Sequence, residues 1–193
     1  MFEMHQLSRA KTISRLYIMN FNYCPKCGKK DSVSAKDKTT FACSACNWQL
    51  WNNPKTSVTT LFIKDNQILT AVRGSNDSRQ DLNGRLQLTG GFVDYGESAY
   101  DAARREAMEE LGVKITEFAL LDVWHREYDT DNMPPISVVD CTFVVTKWEG
   151  TPTPQDDIAA LEWRQLEVVD DPAQAFQYPG LLEKLKTFLK ENG

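Results

Sequence analysis

The sequence predicts an α/β protein in which a mixed sheet lies between helices, with a small metal-held module ahead of it. Three observations carry that prediction. Four cysteines stand in two CxxC pairs near the N-terminus. Two alternating apolar runs flank Asp65-Asn66, as in a β-hairpin. A capped helix after Ser98 is followed by long β-branched runs and then a second amphipathic stretch, an order consistent with a sheet sandwiched between helices. A chain of 193 residues suffices for one such domain and a small appendage.

Residues 1–20 read as an N-terminal arm, with a short helix expected around Leu7–Leu16 and His5 in solvent. Residues 21–53 carry Cys24-Pro-Lys-Cys27 and Cys43-Ser-Ala-Cys46, fifteen residues apart. Four thiolates close a tetrahedron around zinc and leave no position for water, so the metal is expected to be structural. Some thirty residues cannot bury a self-sufficient core, and folding of this ribbon should depend on its ion. Short hairpin strands are expected at Ser32–Ala35 and Thr39–Ala42. Trp48 and Trp51 follow the second pair and are expected to pack. Residues 1–55 hold nine Lys/Arg against three Asp/Glu, while the remainder holds thirteen against twenty-four. That acidic body argues against a nucleic-acid partner. No apolar run approaches a membrane span and the N-terminus lacks a secretory pattern, so a cytoplasmic location is expected.

The body, residues 54–193, opens with the hairpin of Val58, Thr60, Phe62 and Ile68, Thr70, Val72. A polar loop, Gly74–Gly84, follows, with Arg73, Arg79 and Arg85 placed to meet phosphate. Leu86–Thr89 is a short strand that delivers Gly90-Gly91. Ser98 is a good N-cap, with Asp101 three residues on, and Gly112 is placed as a left-handed terminator. Ala99, Ala103, Ala107 and Leu111 make a narrow stripe of mostly small side chains. Strands are expected at 113–115, 118–128, 136–146 and 161–166, and a helix over Tyr178–Leu189. Cys141 reads as a small hydrophobe inside a strand.

On the helix, Glu106, Glu109 and Glu110 share one flank at i, i+3 and i+4 spacing. Like charges so placed call for a cation. Oxygen donors without His or Cys favour Mg²⁺ or Mn²⁺ over zinc.

Gly91, Glu97, Arg105, Glu106, Glu109, Glu110, Gly112 and Val113 fill the fixed positions of the Nudix box, with Ala107 in its first aliphatic slot. The chain thus resembles zinc-ribbon-bearing Nudix hydrolases of the NADH pyrophosphatase and ADP-ribose types. That resemblance implies an α/β/α sandwich and hydrolysis of the pyrophosphate in a nucleoside diphosphate linked to another moiety, such as ADP-ribose, NADH or NAD. It implies Glu106 and Glu110 as metal ligands, with Glu109 sharing the site and the Gly91 carbonyl completing it. Arg105 would orient the carboxylates and Glu97 would hold Arg105, while Glu109, Glu110 or the Asp156-Asp157 loop would supply the base. Asp157 resembles a distal acidic ligand of relatives. Arg85, Phe92 and Trp124 are candidates for touching substrate. The SQPWPFPxS element of the NADH branch is absent, and Asp129 stands where one ADP-ribose branch has proline, so the second moiety stays open. The expected partner is a small nucleotide, with a homodimer left open. The alternative is a nucleotide sensor whose ribbon contacts nucleic acid or protein; the complete carboxylate set weighs against it.

Overall fold

The computed structural model describes residues 21–37, 39–74, 84–128, 136–171 and 178–192. The expectations for the arm with its short helix and His5, for Arg79, and for Asp129 lie outside them. The chain divides into two compact units, Met1–Asn53 and Pro54–Gly193.

In the first unit β1 (Val33–Ala35), β2 (Thr40–Cys43) and β3 (Gln49–Trp51) form an antiparallel three-stranded sheet with β2 in the middle. The third strand was not expected. It turns Trp51 outward to 62 % exposure. Trp48 instead packs edge-on against Phe21, which meets Phe41 the same way.

The second unit is built on β4 (Lys55–Lys64) and β5 (Gln67–Arg73), the expected hairpin. Asp65 and Asn66 both adopt left-handed angles, φ 50° and 59°, as a two-residue type I′ turn requires. β6 (Leu86–Gln87) and β9 (Ile158–Gln165) pair antiparallel with β5. β8 (Ile136–Glu149) lies parallel to β4, and β7 (Lys114–Tyr128) runs antiparallel to β8. One parallel pair among antiparallel ones makes the sheet mixed. The two strands expected at 113–115 and 118–128 are one, because register shifts between Ile115 and Phe118 and between Leu120 and Asp122 absorb the broken alternation.

Helix α1 (Ala99–Leu111) starts where expected: the Ser98 hydroxyl oxygen accepts the Asp101 N–H at 3.1 Å. The Asp101 carboxylate answers through the Ser98 hydroxyl, 2.6 Å away. Gly112, φ 66°, donates to the Met108 carbonyl and stops the helix. Ala103, Ala107 and Leu111 are fully buried, joined by Ala102, which the stripe missed. They pack on one face of the sheet with Val58, Phe62, Phe143 and Val145. Val144, between the last two, points to the opposite face. There it meets Leu61, Ile68 and, from α2 (Leu181–Asn192), Leu181 and Leu185. Helices thus cover both faces, as the order of elements suggested. α2 begins three residues later than expected, after Gly180 at φ 78°. A 3-10 turn at Leu166–Asp170, not anticipated, buries Leu166 and Val169 beneath α2. Among the described residues no helix is long and apolar enough to cross a membrane.

Candidate active site

The segment 89–93 runs beside the first half of β4. Thr60 N–H donates to Thr89 O at 2.8 Å, Val58 N–H to Gly91 O at 2.8 Å, and Val93 N–H to Thr56 O at 3.0 Å. Gly90 lies in this seam at φ 141°, and a Cβ there would sit 2.1 Å from the Val58 carbonyl oxygen. Only glycine fits. At Gly91 a Cβ would stand 2.2 Å from Glu106 Oε1, so that carboxylate occupies the space the missing side chain leaves. The Gly91 carbonyl, the candidate backbone ligand, spends one lone pair on Val58 and keeps the other.

Arg105 ties the box together. Its Nε and Nη2 each donate to Glu97 at 3.0 Å, a bidentate pair. Nη1 reaches Glu106 at 2.7 Å and Glu109 at 3.0 Å, and Nη2 also holds the Phe92 carbonyl at 2.9 Å. The fixed fork of a guanidinium can serve all four at once, which a lysine ammonium cannot. Glu110, 8 % exposed, accepts the Gly90 N–H at 2.9 Å. Arg105 thus gathers Glu106 and Glu109, while Glu110 turns to the loop. Among the described residues the four cysteines alone put three or more ligand atoms within 4.8 Å of one another, so the three carboxylates share a flank of α1 without closing on one point.

Burial sets the electrostatics. Desolvation pushes the Glu110 carboxyl up to about 8, against the pull of the Gly90 N–H and helped by the charges of Glu106, Asp157 and Asp156. It also raises Glu106, which Arg105 partly offsets. The Arg105 hydrogen bonds hold Glu97 below the usual carboxylate range and keep Arg105 itself charged. A buried acid with raised pKa, crowded by the charges of Glu106, Asp157 and Asp156, is an arrangement that a divalent cation would relieve.

Glu110 opens on a cavity of about 240 Å³. Its lining includes Gly91, Phe92, Trp124, Tyr128, Arg73 and Asp157. Phe92 and Trp124, both expected near substrate, are there; Arg85 is exposed and is not among the lining residues. The arginines that are present are Arg73 and Arg126. Arg73 donates to Gln87 Oε1 at 2.9 Å and pairs with Asp157 at 2.9 Å, which seats that carboxylate near Glu110. Trp124 stacks on Tyr178, rings 4.2 Å apart, and Phe92 meets Tyr128 edge-on. Ser57, Thr59 and Thr142, which line the cavity, and the fully buried Asp140 that their hydroxyls bond escaped the sequence reading. The one available signal was an acid inside the apolar run Ile136–Val145.

In the first unit the sulfurs of Cys24, Cys27, Cys43 and Cys46 lie within 4.8 Å of one another. Cys24 and Cys46 are 3.7 Å apart and Cys27 and Cys43 3.9 Å. A tetrahedral site with Zn–S near 2.3 Å needs sulfurs about 3.8 Å apart, so the cluster is compatible with a zinc ribbon. The Ser32 hydroxyl, 3.3 Å from Cys43 Sγ, helps pull that thiol down to about 6, and the Ala45 N–H, also at 3.3 Å, acts the same way.

The model of the NUDIX domain matches residues 53–185. Among curated proteins, the NAD-capped RNA hydrolase NudC of Haemophilus influenzae (strain PittGG) is 30 % identical over 114 residues, 58 % of this chain and 41 % of that protein. The ADP-ribose pyrophosphatase of Methanocaldococcus jannaschii is 29 % identical over 136 residues, 70 % of this chain and 75 % of that one. The chain thus spans about two-fifths of the length of the Haemophilus relative. Among solved structures, a MutT NUDIX hydrolase from Burkholderia pseudomallei is 25 % identical, with a TM-score of 0.55 over 69 % of this chain and 98 % of that one. The NUDIX domain of Shewanella oneidensis NrtR, complexed with ADP ribose, gives 0.56 at 19 % identity over 72 % and 90 %, a likeness of fold alone. The family's pattern covers more than half of the chain, and its box residues meet in space around Arg105: this protein belongs to the NUDIX family.

Proposed function

We propose that this protein is a divalent-metal-dependent pyrophosphohydrolase. It cleaves nucleoside diphosphates linked to a second moiety, with ADP-ribose, NADH and NAD as first substrates, and releases a nucleoside monophosphate. The observation that carries the reading is Glu110, buried and crowded by Glu106 against Gly90-Gly91, at the wall of a cavity with aromatic sides and two arginines. The names of the Haemophilus and Methanocaldococcus relatives, an NAD-capped RNA hydrolase and an ADP-ribose pyrophosphatase, support a substrate of this class.

The donor set fits Mg²⁺ or Mn²⁺. It is all oxygen, and the bare face of Gly91 leaves room for Glu106. Glu106 and Glu110 would hold the ion, with Glu109, the Gly91 carbonyl and Asp157 as further ligands. When bound, such an ion neutralises diphosphate oxygens and acidifies water. The chain's own residues do the rest. Arg105 keeps Glu106 and Glu109 in one geometry, and Glu97 keeps Arg105 turned toward them. Glu109, Glu110 or a carboxylate of the Asp156-Asp157 loop would take a proton from the attacking water. Arg73 and Arg126 line the cavity beside Asp157 and Asp140 and would meet phosphate oxygens there, while Phe92, Trp124 and Tyr128 would give a base flat surfaces to lie on. In the ribbon, Cys24, Cys27, Cys43 and Cys46 would hold one structural Zn²⁺.

Two results are expected from the site itself. Arg105→Lys keeps the charge but cannot span Glu97, Glu106, Glu109 and Phe92 O together; kcat/KM should fall roughly 10–100-fold, as for other groups that orient metal ligands. Steady-state kinetics at saturating Mn²⁺ checks this. The second result concerns pH. Glu110 has a folded-state pKa of about 8, above its ordinary 4.5. Its contribution to metal-free stability is therefore fully present below about pH 4.5 and is lost as pH rises through about 8. Metal binding must expel that proton, so Mn²⁺ affinity should strengthen from pH 6 to pH 8, with proton release visible as a buffer-dependent heat by calorimetry. A pH-independent affinity would contradict it.

The deciding test is a panel of ADP-ribose, NADH, NAD, FAD, dinucleoside polyphosphates and nucleoside triphosphates with Mn²⁺, read by product identification. Release of AMP from ADP-ribose or NADH supports the reading. Tight binding without product across the panel would favour a sensor.

A further inference from the structure

Across the sheet, Ser57 of β4, Asp140 of β8 and Trp124 of β7 stand in register, and so do Thr59 and Thr142 two positions along. Asp140 is fully buried. Its Oδ2 accepts the Ser57 hydroxyl at 2.6 Å and the Thr59 hydroxyl at 3.0 Å, and its Oδ1 accepts the Thr142 hydroxyl at 2.9 Å. A carboxylate cannot donate, so all three hydroxyl hydrogens are committed to it. Thr142 also accepts the Trp124 indole N–H at 3.2 Å. Ser57, Thr59 and Thr142 all line the cavity. What this floor has left to offer a ligand is lone pairs, foremost those of Thr59, the one of the three that is only half-buried.

We propose that Asp140 is a positioning residue that leaves the hydroxyls of Ser57, Thr59 and Thr142 as acceptors only, a subsite that reads the exocyclic amino group of a planar base. An N–H₂ directed at such a floor finds acceptors, whereas a keto oxygen in the same place finds lone pairs opposed to its own and leaves them unsatisfied. The aromatic walls of Phe92, Trp124 and Tyr128 suit a ring, and Arg126, 3.7 Å from Asp140 Oδ2, helps offset the buried charge. The inference rests on the proposed reaction only in taking this cavity as the seat of the nucleoside.

Two matched pairs test it on the metal-free full-length protein by calorimetric titration: AMP against IMP, and CMP against UMP. The amino member should bind about tenfold tighter, in the purine pair, the pyrimidine pair or both, and which pair discriminates tells which ring is taken. In Asp140→Asn, whichever way the amide turns, at least one hydroxyl loses its acceptor and is free to point its hydrogen at the ligand. The preference should collapse toward one or invert. Thr59→Val, which keeps Asp140 and its two buried donors, should reduce the preference at least threefold and serves where the Asn variant fails to fold. Equal binding within both pairs, no binding of any of the four at millimolar concentration, or an unchanged preference in the variants overturns the proposal. Monophosphates binding without metal do not depend on hydrolysis. A failure of the reaction would leave this result standing, and the reverse also holds.

Discussion

Glu110→Gln should lower kcat on ADP-ribose by about 10³-fold while the protein stays folded. Losing one carboxylate from a site that neutralises a diphosphate removes several kcal/mol of charge stabilisation, and each 1.36 kcal/mol is a decade in rate. The fold should tolerate the change, because the glutamine amide oxygen can still accept the Gly90 N–H that Glu110 accepts at 2.9 Å. The change also removes an acid whose ionisation is opposed by burial until pH nears 8. Above that pH the metal-free variant should melt at or above the metal-free wild type. Wild-type turnover, or a collapsed melting temperature at pH 8, would contradict this account of Glu110.

The second large effect lies in the ribbon. Zinc in a Cys₄ site of this size contributes about 10–16 kcal/mol of binding energy that doubles as folding energy. Cys24→Ser should therefore abolish stoichiometric zinc and amide protection over residues 21–53, with the melting of Pro54–Gly193 left in place. Chelation of the wild type should do the same. Elemental analysis and hydrogen exchange on the full chain read both parts separately. A zinc-free protein whose ribbon amides remain protected would contradict the structural role of the metal.

Local chemistry made much of this fold legible. Ser98 and Gly112 bound α1 because one offers a cap and the other a left-handed angle, both properties of single residues. Asp65-Asn66 set the hairpin for the same reason. Helical spacing put Glu106, Glu109 and Glu110 on one flank of α1, but the partner each takes, Arg105 for the first two and the Gly90 N–H for Glu110, depends on the loop. CxxC spacing marked the four sulfurs, which do lie within 4.8 Å of one another. What stayed hidden depends on long-range pairing. Asp140 lies 83 residues from Ser57, and only the parallel alignment of β4 with β8 shows that its buried charge is met by hydroxyls. Arg85 looked as suited to phosphate as Arg73 until the pairing of β5 with β6 and β9 gave Arg73 the cavity. The single long β7 was masked by bulges, which break the alternation that marks a strand.

The central claim is that a divalent cation is held by glutamates of α1 against the glycine loop. Crystals grown with Mn²⁺ and inspected for anomalous scattering test it most directly. A peak is expected within bonding distance of Glu106 and Glu110 carboxylate oxygens, beside Gly91. Peaks only elsewhere on the chain, with those oxygens left to water and Arg105, would contradict it.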